Sequence, residues 1–572
     1  MKSTVTHFSA KQFAVLLLGG ILLIFPGVLG SATGAHCIFA PAAGVASAHI
    51  EASRVGVEIL QQGGNAADAA VAVSMALAVV YPQAGNLGGG GFIVYRSAEG
   101  KNYVLDFRET APAAARQDMY LDSAGAVLSA KSTLGGLAVG VPGTVRGLFR
   151  FHRRFGSLPW AKLLEPAIRL AEEGFMLNRY VSRSIRSAAA AFRKFPGSAA
   201  VFLPGGKAPE PGDRFYQKNL ARSLRTIALH GERGFYRGEI AREIVKSVQM
   251  NGGILTVEDL KQYRAIEREP VVISYHDYRI ITVPPPSSAG VVLAGLFNSL
   301  QTIDLGRFPF NSPQYIAFLS ELEKRYFALR NQLLGDPDFI RMPLEQLYLP
   351  QFAARIVKQI DYRHPVPAAE ISAQNLLGSE SNQTTHFSVV DPAGNAVSMT
   401  TTLNGSFGCK LVAGSTGILL NNEMDDFATK PGSPNMYGLV QGRANSIAPG
   451  KRMLSSMSPV VVTRHDSLIG LLGSPGGPTI ITSVFQVLLN LIEHRMDLQQ
   501  SVSAPRFHQQ WLPDSVEVEK NRFEPAVLEK LKQWGYHIVQ RNHLGDVEAI
   551  WRKQGGWSIC TDYRGNGIPA GY

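Results

Sequence analysis

The sequence predicts an α+β fold in which layers of helices cover β-sheet. Residues 66–82 are apolar on almost every side of a helix, which is typical of a helix buried in a globular core. Residues 151–262 have mainly helical spacing of apolar residues, whereas the region after residue 384 contains many strand-like runs separated by glycine turns. Because helices and strands occur in both halves, we expect helix layers packed on sheets.

The composition indicates a large globular protein. The chain has 572 residues, of which 45% are hydrophobic and 18% are charged, enough to form more than one core. The formal net charge of +11 would suit a partner such as nucleic acid or an anionic membrane. The basic residues are spread along the chain without a dense Lys/Arg run, so we interpret them as solvated surface charge and expect no nucleic-acid partner.

The N-terminus has the order of a secretory signal. Lys2 and Lys11 precede an apolar run at residues 13–25, and Pro26 and a stretch of small residues follow. Cleavage after Ala35 or Ala32 fits this pattern. The alternative is an uncleaved membrane anchor. Such an anchor needs roughly 20 apolar residues, and this run reaches that length only if it is counted through Pro26. We therefore predict a signal peptide at residues 1–35, export to the periplasm or outside the cell, and no stable membrane insertion after its removal.

Helix 50–62 ends at two glycines, and Asn65 then offers an N-cap to the next helix, with Asp68 three residues on. The glycine run at residues 88–91 leads into two strands. It lacks the Gly-Lys-Ser/Thr ending of a phosphate loop, so tight backbone packing is the favoured interpretation.

Two strands at residues 270–283 and a long helix at 312–334 follow these elements. The polar residues 363–383 lack periodicity and predict a mobile, exposed linker.

The cysteines and histidines do not predict a metal site. Cys37, Cys409 and Cys560 are widely separated, and none of the 13 histidines belongs to a His-Glu-x-x-His motif. We therefore expect no metal and no cofactor. A disulfide between Cys409 and Cys560 is one alternative in an oxidising compartment, but three small buried thiols are favoured.

Residues 384–402 read as a β-hairpin with an unusual number of hydroxyl side chains. Its loop ends in Gly394 at the position that favours positive φ, which places Asp391 opposite Asn395. This register puts Thr384 opposite Thr402 at the open end. Threonine pairs are common in sheets for purely structural reasons, so the hairpin alone does not establish a site.

Several longer motifs, in this order along the chain, resemble those of the gamma-glutamyltranspeptidase family. The resemblance extends from about Gly44 to the C-terminus and rests on LGGGGF, DFRETAP, PPPSSAG, TTHFSVVD, TTTLNGSFG, GILLNNEMDDF, PNMYGL, LSSMSP and GSPGG. It implies an N-terminal-nucleophile hydrolase fold, a four-layer αββα sandwich. It also implies a precursor that cuts itself between Gln383 and Thr384 into a large subunit, residues 36–383, and a small subunit, residues 384–572, which remain together as a heterodimer.

The same resemblance implies the catalytic groups. Thr384 would be the nucleophile, and the α-amine freed by cleavage would be its base, since such an amine titrates near ~7.7–8.0. Thr402 would orient the nucleophile, and the backbone N–H groups of Gly476 and Gly477 would stabilise the oxyanion. His386 is then interpreted as structural.

The substrate pocket implied by the resemblance recognises both charges of a glutamyl group. Arg108 with Ser455 and Ser456 resembles a carboxylate clamp. Glu423, Asp426 and Asn404 resemble the ammonium side. Tyr437, in a lid loop at residues 431–442, would close the pocket by bonding Asn404.

The resemblance implies cleavage of the γ-glutamyl amide of glutathione and related small molecules, with transfer to water or to amino acid and peptide acceptors. The alternative on the same fold is a cephalosporin acylase or a polyglutamate transpeptidase. A non-catalytic exported binding protein is a candidate of a different class, but the complete set of Thr384, Thr402, Gly476 and Gly477 argues against it.

Overall fold

Two antiparallel sheets of seven strands each form the centre of the protein in a computed structural model that describes residues 35–371 and 384–572. In order across sheet I, the strands are Ala570–Gly571, Gly44–Ser47, Thr385–Val390, Ala396–Thr402, Gly90–Arg96, Asn102–Asp106 and Ile266–Arg268. In order across sheet II, they are His36–Ala40, Gly556–Thr561, Glu548–Lys553, Ser467–Gly473, Val460–Arg464, Tyr278–Thr282 and Val271–Tyr275.

The two sheets pack face to face through an apolar layer. Phe92 and Val94 of sheet I meet Val461 and Leu471 of sheet II in one buried cluster. Because successive side chains of a strand point to opposite faces, the other face of each sheet is also apolar, and helices cover it. The predicted four-layer αββα sandwich is therefore confirmed.

The helices before residue 265 belong mainly to the layer outside sheet I. Ala66–Val80 is buried along its whole length, as its sequence predicts, and the Asn65–Asp68 capping box starts it. The helices of this part are Ile50–Gln61, Ala66–Val80, Ser129–Thr133, Thr144–Phe155, Trp160–Glu173, Arg179–Phe192, Pro196–Phe202, Lys218–His230, Glu232–Tyr236, Gly238–Met250 and Val257–Gln262.

The later helices lie mainly outside sheet II. Pro313–Leu333 is buried along most of its length although it carries several charged residues, a point that matters for the site. The helices of this part are Ala289–Leu300, Pro313–Leu333, Leu344–Leu347, Pro350–Lys358, Ala368–Ile371, Thr479–Ile492, Leu498–Ser503 and Pro525–Gln533. Two minor sheets comprise Phe507–His508, Val516–Glu519 and Ile538–Arg541, and Phe175–Met176 and Arg214–Phe215.

Residues 363–371 of the predicted exposed linker are mostly exposed or half-buried, but one part departs from the prediction. Ala368–Ile371 is a short helix, and Ala368 is buried. The carbonyl of Ala368 accepts a hydrogen bond from Trp511 Nε1 at 2.9 Å, and its N–H donates to Asp514 Oδ2 at 2.7 Å. These contacts come from a segment far away in sequence, so local polarity could not predict them. Residues 372–383 lie outside the described part.

The cysteine prediction is also corrected. Cys37 and Cys560 form a disulfide, whereas Cys409 is a buried free thiol whose pKa burial raises to about 12. The interpretation as three buried thiols is thus wrong for two of them, and the alternative Cys409–Cys560 pair is wrong as well. The reason is sheet order: Cys37 and Cys560 are register partners on neighbouring antiparallel strands.

The predicted signal peptide falls on residues 1–34, outside the described part, and on Ala35, the first residue described. Among residues 35–371 and 384–572, no helix combines the length and the apolar character needed to cross a bilayer.

Candidate active site

The hairpin of sheet I has the predicted register. Thr385 pairs with Thr401, and the N–H of Asp391 donates to the carbonyl of Asn395 at 3.1 Å across the predicted loop. At the open end, Thr384 Oγ1 lies 3.4 Å from Thr402 Oγ1. The hairpin therefore brings two hydroxyl groups together where the chain emerges from the sheet.

His386 is held inside the sandwich and is not available to Thr384. Its Nδ1 lies 2.9 Å from Thr400 Oγ1, and its Nε2 lies 3.1 Å from Ser388 Oγ. Burial lowers the pKa of His386 to about 3, so the ring is neutral. Both ring nitrogens are thus used within the hairpin, which agrees with a structural role.

Gly476 and Gly477 stand at the entrance of the helix Thr479–Ile492. Their φ angles of 131° and 56° lie in the region that favours glycine. Their carbonyls accept from the N–H groups of Thr479 and Ile480. Within the described residues, their own N–H groups donate to no protein acceptor. Two free N–H groups at a helix N-terminus are suited to stabilise a developing negative charge.

A cavity of about 310 Å³ adjoins Thr384. It contains all the predicted site residues of the described part except Gly476, and its lining is Arg108, Arg330, Thr384, Thr402, Asn404, Glu423, Asp426, Tyr437, Leu439, Ser455, Ser456, Met457, Gly477, Pro478 and Ile480. Gly476 lines a second cavity, of about 480 Å³, which also includes Thr384. We call them the first and second cavities. The predicted cleavage residue Gln383 lies outside the described residues.

The Arg108 guanidinium is the centre of an ionic cluster in the first cavity. Its two terminal nitrogens donate to Glu423 Oε1 and Asp426 Oδ2, and its Nε donates to the carbonyl of Met453 at 3.3 Å. Burial lowers the pKa of Arg108, but the carboxylates of Glu423 and Asp426 outweigh this effect and raise it. The residues predicted to bind the carboxylate and those predicted to bind the ammonium group therefore form ion pairs with each other.

Arg330 is a cationic group that the sequence analysis missed. Only 1% of it is exposed, and its guanidinium donates to neutral oxygens, including Ser288 Oγ and Ser456 Oγ, each at 3.3 Å. Within the described residues it has no carboxylate partner. Burial lowers its pKa to about 10, so it is still charged at neutral pH. A buried, unpaired cation beside an open cavity indicates that an anionic ligand completes the site.

Ser455 and Ser456 lie opposite Arg330, on the turn before strand Val460–Arg464. The Ser455 carbonyl accepts from both the N–H and the hydroxyl of Ser288, which fixes this turn against the helix Ala289–Leu300. Arg108 reaches neither serine by a hydrogen bond within the described residues. Arg108 and the two serines, predicted to form a carboxylate clamp, thus line the same cavity without a hydrogen bond between them in the described part of the chain. The cation that contacts Ser456 is Arg330.

Tyr437 forms the roof of the first cavity. Its hydroxyl donates to the backbone carbonyl of Asn404 at 2.8 Å, as predicted, although the acceptor is a main-chain atom. Gln510 Nε2 donates to the Tyr437 carbonyl at 3.1 Å and fixes the segment from behind. Asn404 has φ of 72°, and its N–H donates to Thr402 Oγ1 at 2.7 Å. The roof is therefore connected to the pair of threonines through Asn404.

The comparison with known families settles which family has this arrangement. Residues 52–572 match the model of the family described as gamma-glutamyltranspeptidase. The chain belongs to this family. The gamma-glutamyltranspeptidase fold explains why the motifs predicted as a site, although far apart in sequence, line a single cavity.

Individual relatives agree with this membership. The chain is 45% identical over 516 residues to the glutathione hydrolase proenzyme of Escherichia coli (strain K12), which covers 90% of this chain and 89% of the relative. It is similar to the crystal structure of cephalosporin acylase from Bacillus halodurans, with a TM-score of 0.82 and 26% identity over 96% of this chain and 99% of that one. The Helicobacter pylori gamma-glutamyltranspeptidase structure aligns with a TM-score of 0.56 and 40% identity, covering 58% of this chain and 96% of its own.

The geometry of this gamma-glutamyltranspeptidase family member is suited to acyl transfer. The Thr384 hydroxyl has a second hydroxyl beside it, free N–H donors at a helix end, and a cavity that contains both signs of charge. Among residues 35–371 and 384–572, no group of three or more His, Cys, Asp or Glu side chains is arranged to hold a metal ion.

Proposed function

We propose that this protein cleaves the γ-glutamyl amide bond of glutathione and related compounds through a γ-glutamyl ester on Thr384, and transfers the glutamyl group to water or to amino acid and peptide acceptors. The observation that carries the proposal is the charge pattern of the first cavity. Two guanidinium groups and two carboxyl groups line one small cavity beside Thr384. An α-amino acid end, with one carboxylate and one ammonium group, is the ligand that matches this pattern.

The two ends of a glutamyl group would bind to different parts of this cavity. Its α-carboxylate would meet Arg330 and Arg108 and the hydroxyls of Ser455 and Ser456. Its α-ammonium would bind to Glu423 and Asp426, next to Asn404. Binding of the ammonium would release these carboxylates from Arg108 and free that guanidinium for the substrate.

Acylation would begin when the free α-amine of Thr384 takes the proton of its own hydroxyl. Oγ1 then attacks the γ-carbonyl carbon, and the N–H groups of Gly476 and Gly477 donate to the oxyanion that forms. One donor of this kind is typically worth ~2.7–4 kcal/mol of barrier. Collapse expels the amine, which takes the proton from the α-ammonium of Thr384, and leaves the γ-glutamyl ester.

In deacylation, Thr384 Oγ1 is the leaving group, and water or an acceptor amine is the nucleophile. Water or an acceptor amine gives a proton to the α-amine of Thr384 and attacks the ester carbonyl. Oγ1 leaves and recovers its proton, which regenerates the free nucleophile. Thr402 Oγ1, 3.4 Å from Thr384 Oγ1, holds the attacking atom in position in both steps.

Maturation would use the same groups on the chain itself. Oγ1 of Thr384 attacks the carbonyl of Gln383, the peptide nitrogen becomes the free α-amine, and water hydrolyses the resulting ester. This gives a large subunit of residues 36–383 and a small subunit of residues 384–572. The word proenzyme in the name of the Escherichia coli relative supports this cleavage. The Helicobacter pylori chain, which covers little more than half of this one, supports it as well.

We also propose that the protein is exported. The signal-like N-terminus and the Cys37–Cys560 disulfide support a periplasmic or secreted enzyme, because disulfides persist in oxidising compartments. Its partners would be small γ-glutamyl donors and amine acceptors, besides the two subunits of its own precursor.

Intact mass measurement with N-terminal sequencing tests the maturation. The purified protein should contain a chain that begins at Thr384 and ends at Tyr572. A single unbroken chain with full activity would contradict the proposed mechanism.

A matched pair of donors tests the substrate class. Glutaryl-p-nitroanilide lacks only the α-ammonium of γ-glutamyl-p-nitroanilide. Because it has no ammonium group to replace Arg108 as the partner of Glu423 and Asp426, it would lose a buried ion pair, at a cost of about 2–5 kcal/mol. We therefore expect its kcat/KM to be lower by roughly 30-fold or more. Equal kcat/KM values would favour the cephalosporin acylase alternative.

A further inference from the structure

The second cavity adjoins the same threonine as the glutamyl cavity. Thr384 lines both cavities, whereas Gly476, Tyr81 and Asp546 line the second. An ester on Thr384 would therefore present one face to the first cavity and the other to the second. The group that leaves, and the group that attacks, must use the second side because the glutamyl group occupies the first.

Asp546 is a buried carboxyl group with an unused oxygen. Only 7% of it is exposed, and its Oδ1 has no hydrogen-bond partner within the described residues. Its backbone N–H donates to Ser474 Oγ at 2.9 Å, which places the residue behind Gly476. A Cβ on Gly565 would lie 1.8 Å from Asp546 Oδ2, so the glycine makes room for this carboxyl group.

The nearby arginines are already neutralised by other groups. Arg564 binds Glu519 through Nε and Nη2, and its Nη1 binds Asp562 at 3.0 Å. Arg506 binds Asp562 at 2.7 Å. In the part of the chain that the structure describes, no Lys, Arg or His forms an ion pair with Asp546. Within the described residues no cation pairs with this carboxylate, so a cationic ligand would stabilise its charged form.

Glu548, the first residue of a sheet II strand, follows Asp546 by two positions and adds a second buried carboxyl group. It is fully buried, and neither of its carboxyl oxygens has a partner in the described structure. Burial raises the pKa of Glu548 well above its ordinary value, which favours its neutral form. Burial and the negative charge of Asp562 raise the pKa of Asp546 to about 8, against the opposing effect of Arg506 and Arg564. Asp546 is thus the group that ionises when a cation approaches.

We propose that the second cavity receives the amine acceptor and that Asp546 binds the ammonium group of that acceptor. The inference rests on the proposed function and adds the recognition of the second substrate. The ligand class is primary amines in their protonated form, such as amino acids, small peptides and their amides. The ammonium group gives one proton to the Asp546 carboxylate, and the neutral nitrogen attacks the ester carbonyl. It loses its second proton to the α-amine of Thr384, and Oγ1 leaves.

The test compares transfer with hydrolysis in one assay. γ-Glutamyl-p-nitroanilide is the donor and glycinamide, which has no carboxylate, is the acceptor. For Asp546→Asn we expect the ratio of transfer to hydrolysis to fall by about 10-fold, because a charged hydrogen bond to the acceptor is lost. Glu548→Gln is the matched control: it makes the same chemical change on a neutral neighbour, so its ratio should stay within about 2-fold of wild type.

The pH dependence gives a second readout. Since the pKa of Asp546 is raised to about 8, its carboxylate forms as pH rises through that value. The titratable and charged groups that face it or line the same cavity are Tyr81, Tyr180, His543, Glu548, Asp562, Arg506 and Arg564. The proposed contact needs both the Asp546 carboxylate and the ammonium form of glycinamide. The wild-type advantage over Asp546→Asn should therefore rise as the carboxylate forms and fall again at higher pH, where glycinamide loses its proton.

The outcomes separate the inference from the proposed function. An unchanged transfer-to-hydrolysis ratio in Asp546→Asn would overturn the acceptor site and leave the donor chemistry intact. Equal loss of both activities in Asp546→Asn and in the charge-retaining Asp546→Glu would also overturn it, because the residue would then serve the fold. A wild-type enzyme that does not hydrolyse the donor would overturn the proposed function itself.

Discussion

The side-chain hydroxyl oxygens of Thr384 and Thr402 lie 3.4 Å apart at the open end of the hairpin in sheet I. Thr402 Oγ1 also accepts the N–H of Asn404 at 2.7 Å, which holds it in place. We expect Thr402→Val, which keeps the shape and removes the hydroxyl, to lower kcat about 10-fold, the effect of one hydrogen bond of roughly 1.5 kcal/mol. Thr402→Ser should retain most of the activity. A fully active valine variant would remove Thr402 from the mechanism.

The proposed self-cleavage would depend on the hydroxyl of Thr384. We expect Thr384→Ala to leave a single uncut chain, because the substitution removes the hydroxyl that would attack the preceding carbonyl. Denaturing electrophoresis and intact mass would show this directly. Thr384→Ser keeps a hydroxyl and should still be cut, although more slowly. Two fragments from the alanine variant would refute the proposed maturation.

Arg330 should contribute to donor binding. For Arg330→Gln we expect the KM for γ-glutamyl-p-nitroanilide to rise about 10-fold or more, since a hydrogen bond to a charged group is worth roughly 1.5–3 kcal/mol. Arg330→Lys keeps the charge and should lie between the two. Because the unpaired charge costs stability in the ligand-free protein, the glutamine variant should melt at the same temperature or higher. A lower Tm with an unchanged KM would assign Arg330 to the fold.

The roof of the first cavity depends on one hydroxyl group. Tyr437→Phe removes the bond to the Asn404 carbonyl and keeps the ring. We expect the partition to shift from amine acceptors toward water by about 2- to 10-fold, because a neutral hydrogen bond of roughly 0.5–1.5 kcal/mol is lost and the roof opens. Tyr120→Phe, which removes a similar bond to the Leu137 carbonyl, is the control. Identical partition in both variants would contradict a gating role for Tyr437.

The disulfide should join the two subunits covalently. Cys37 precedes the proposed cleavage site and Cys560 follows it, so the mature enzyme should run as one band without reductant and as two bands with it. Cys37→Ser should give two bands under both conditions. We expect a modest loss of thermal stability in this variant, on the order of 2–4 kcal/mol at most. Two bands from unreduced wild-type enzyme would show that the bond does not form.

Much of the fold and of the site follows from the sequence. The turn at Gly394 sets the hairpin register, and that register puts Thr384 beside Thr402. The capping box at Asn65 and the apolar run after it specify a buried helix. These features depend on strand alternation, on turn geometry and on caps, which act over a few residues and can be read locally. The motif resemblance added the remaining predicted residues of the first cavity.

The tertiary structure decided the rest. Arg330 lies on a helix with many other charged residues, and only the packing of that helix against the turn at Ser456 distinguishes it. Sheet order pairs Cys37 with Cys560 and leaves Cys409 alone. The second cavity brings Tyr81 and Asp546 together with Thr384. Each of these contacts joins segments far apart in the chain, and burial then sets their charges, so no local pattern could reveal them.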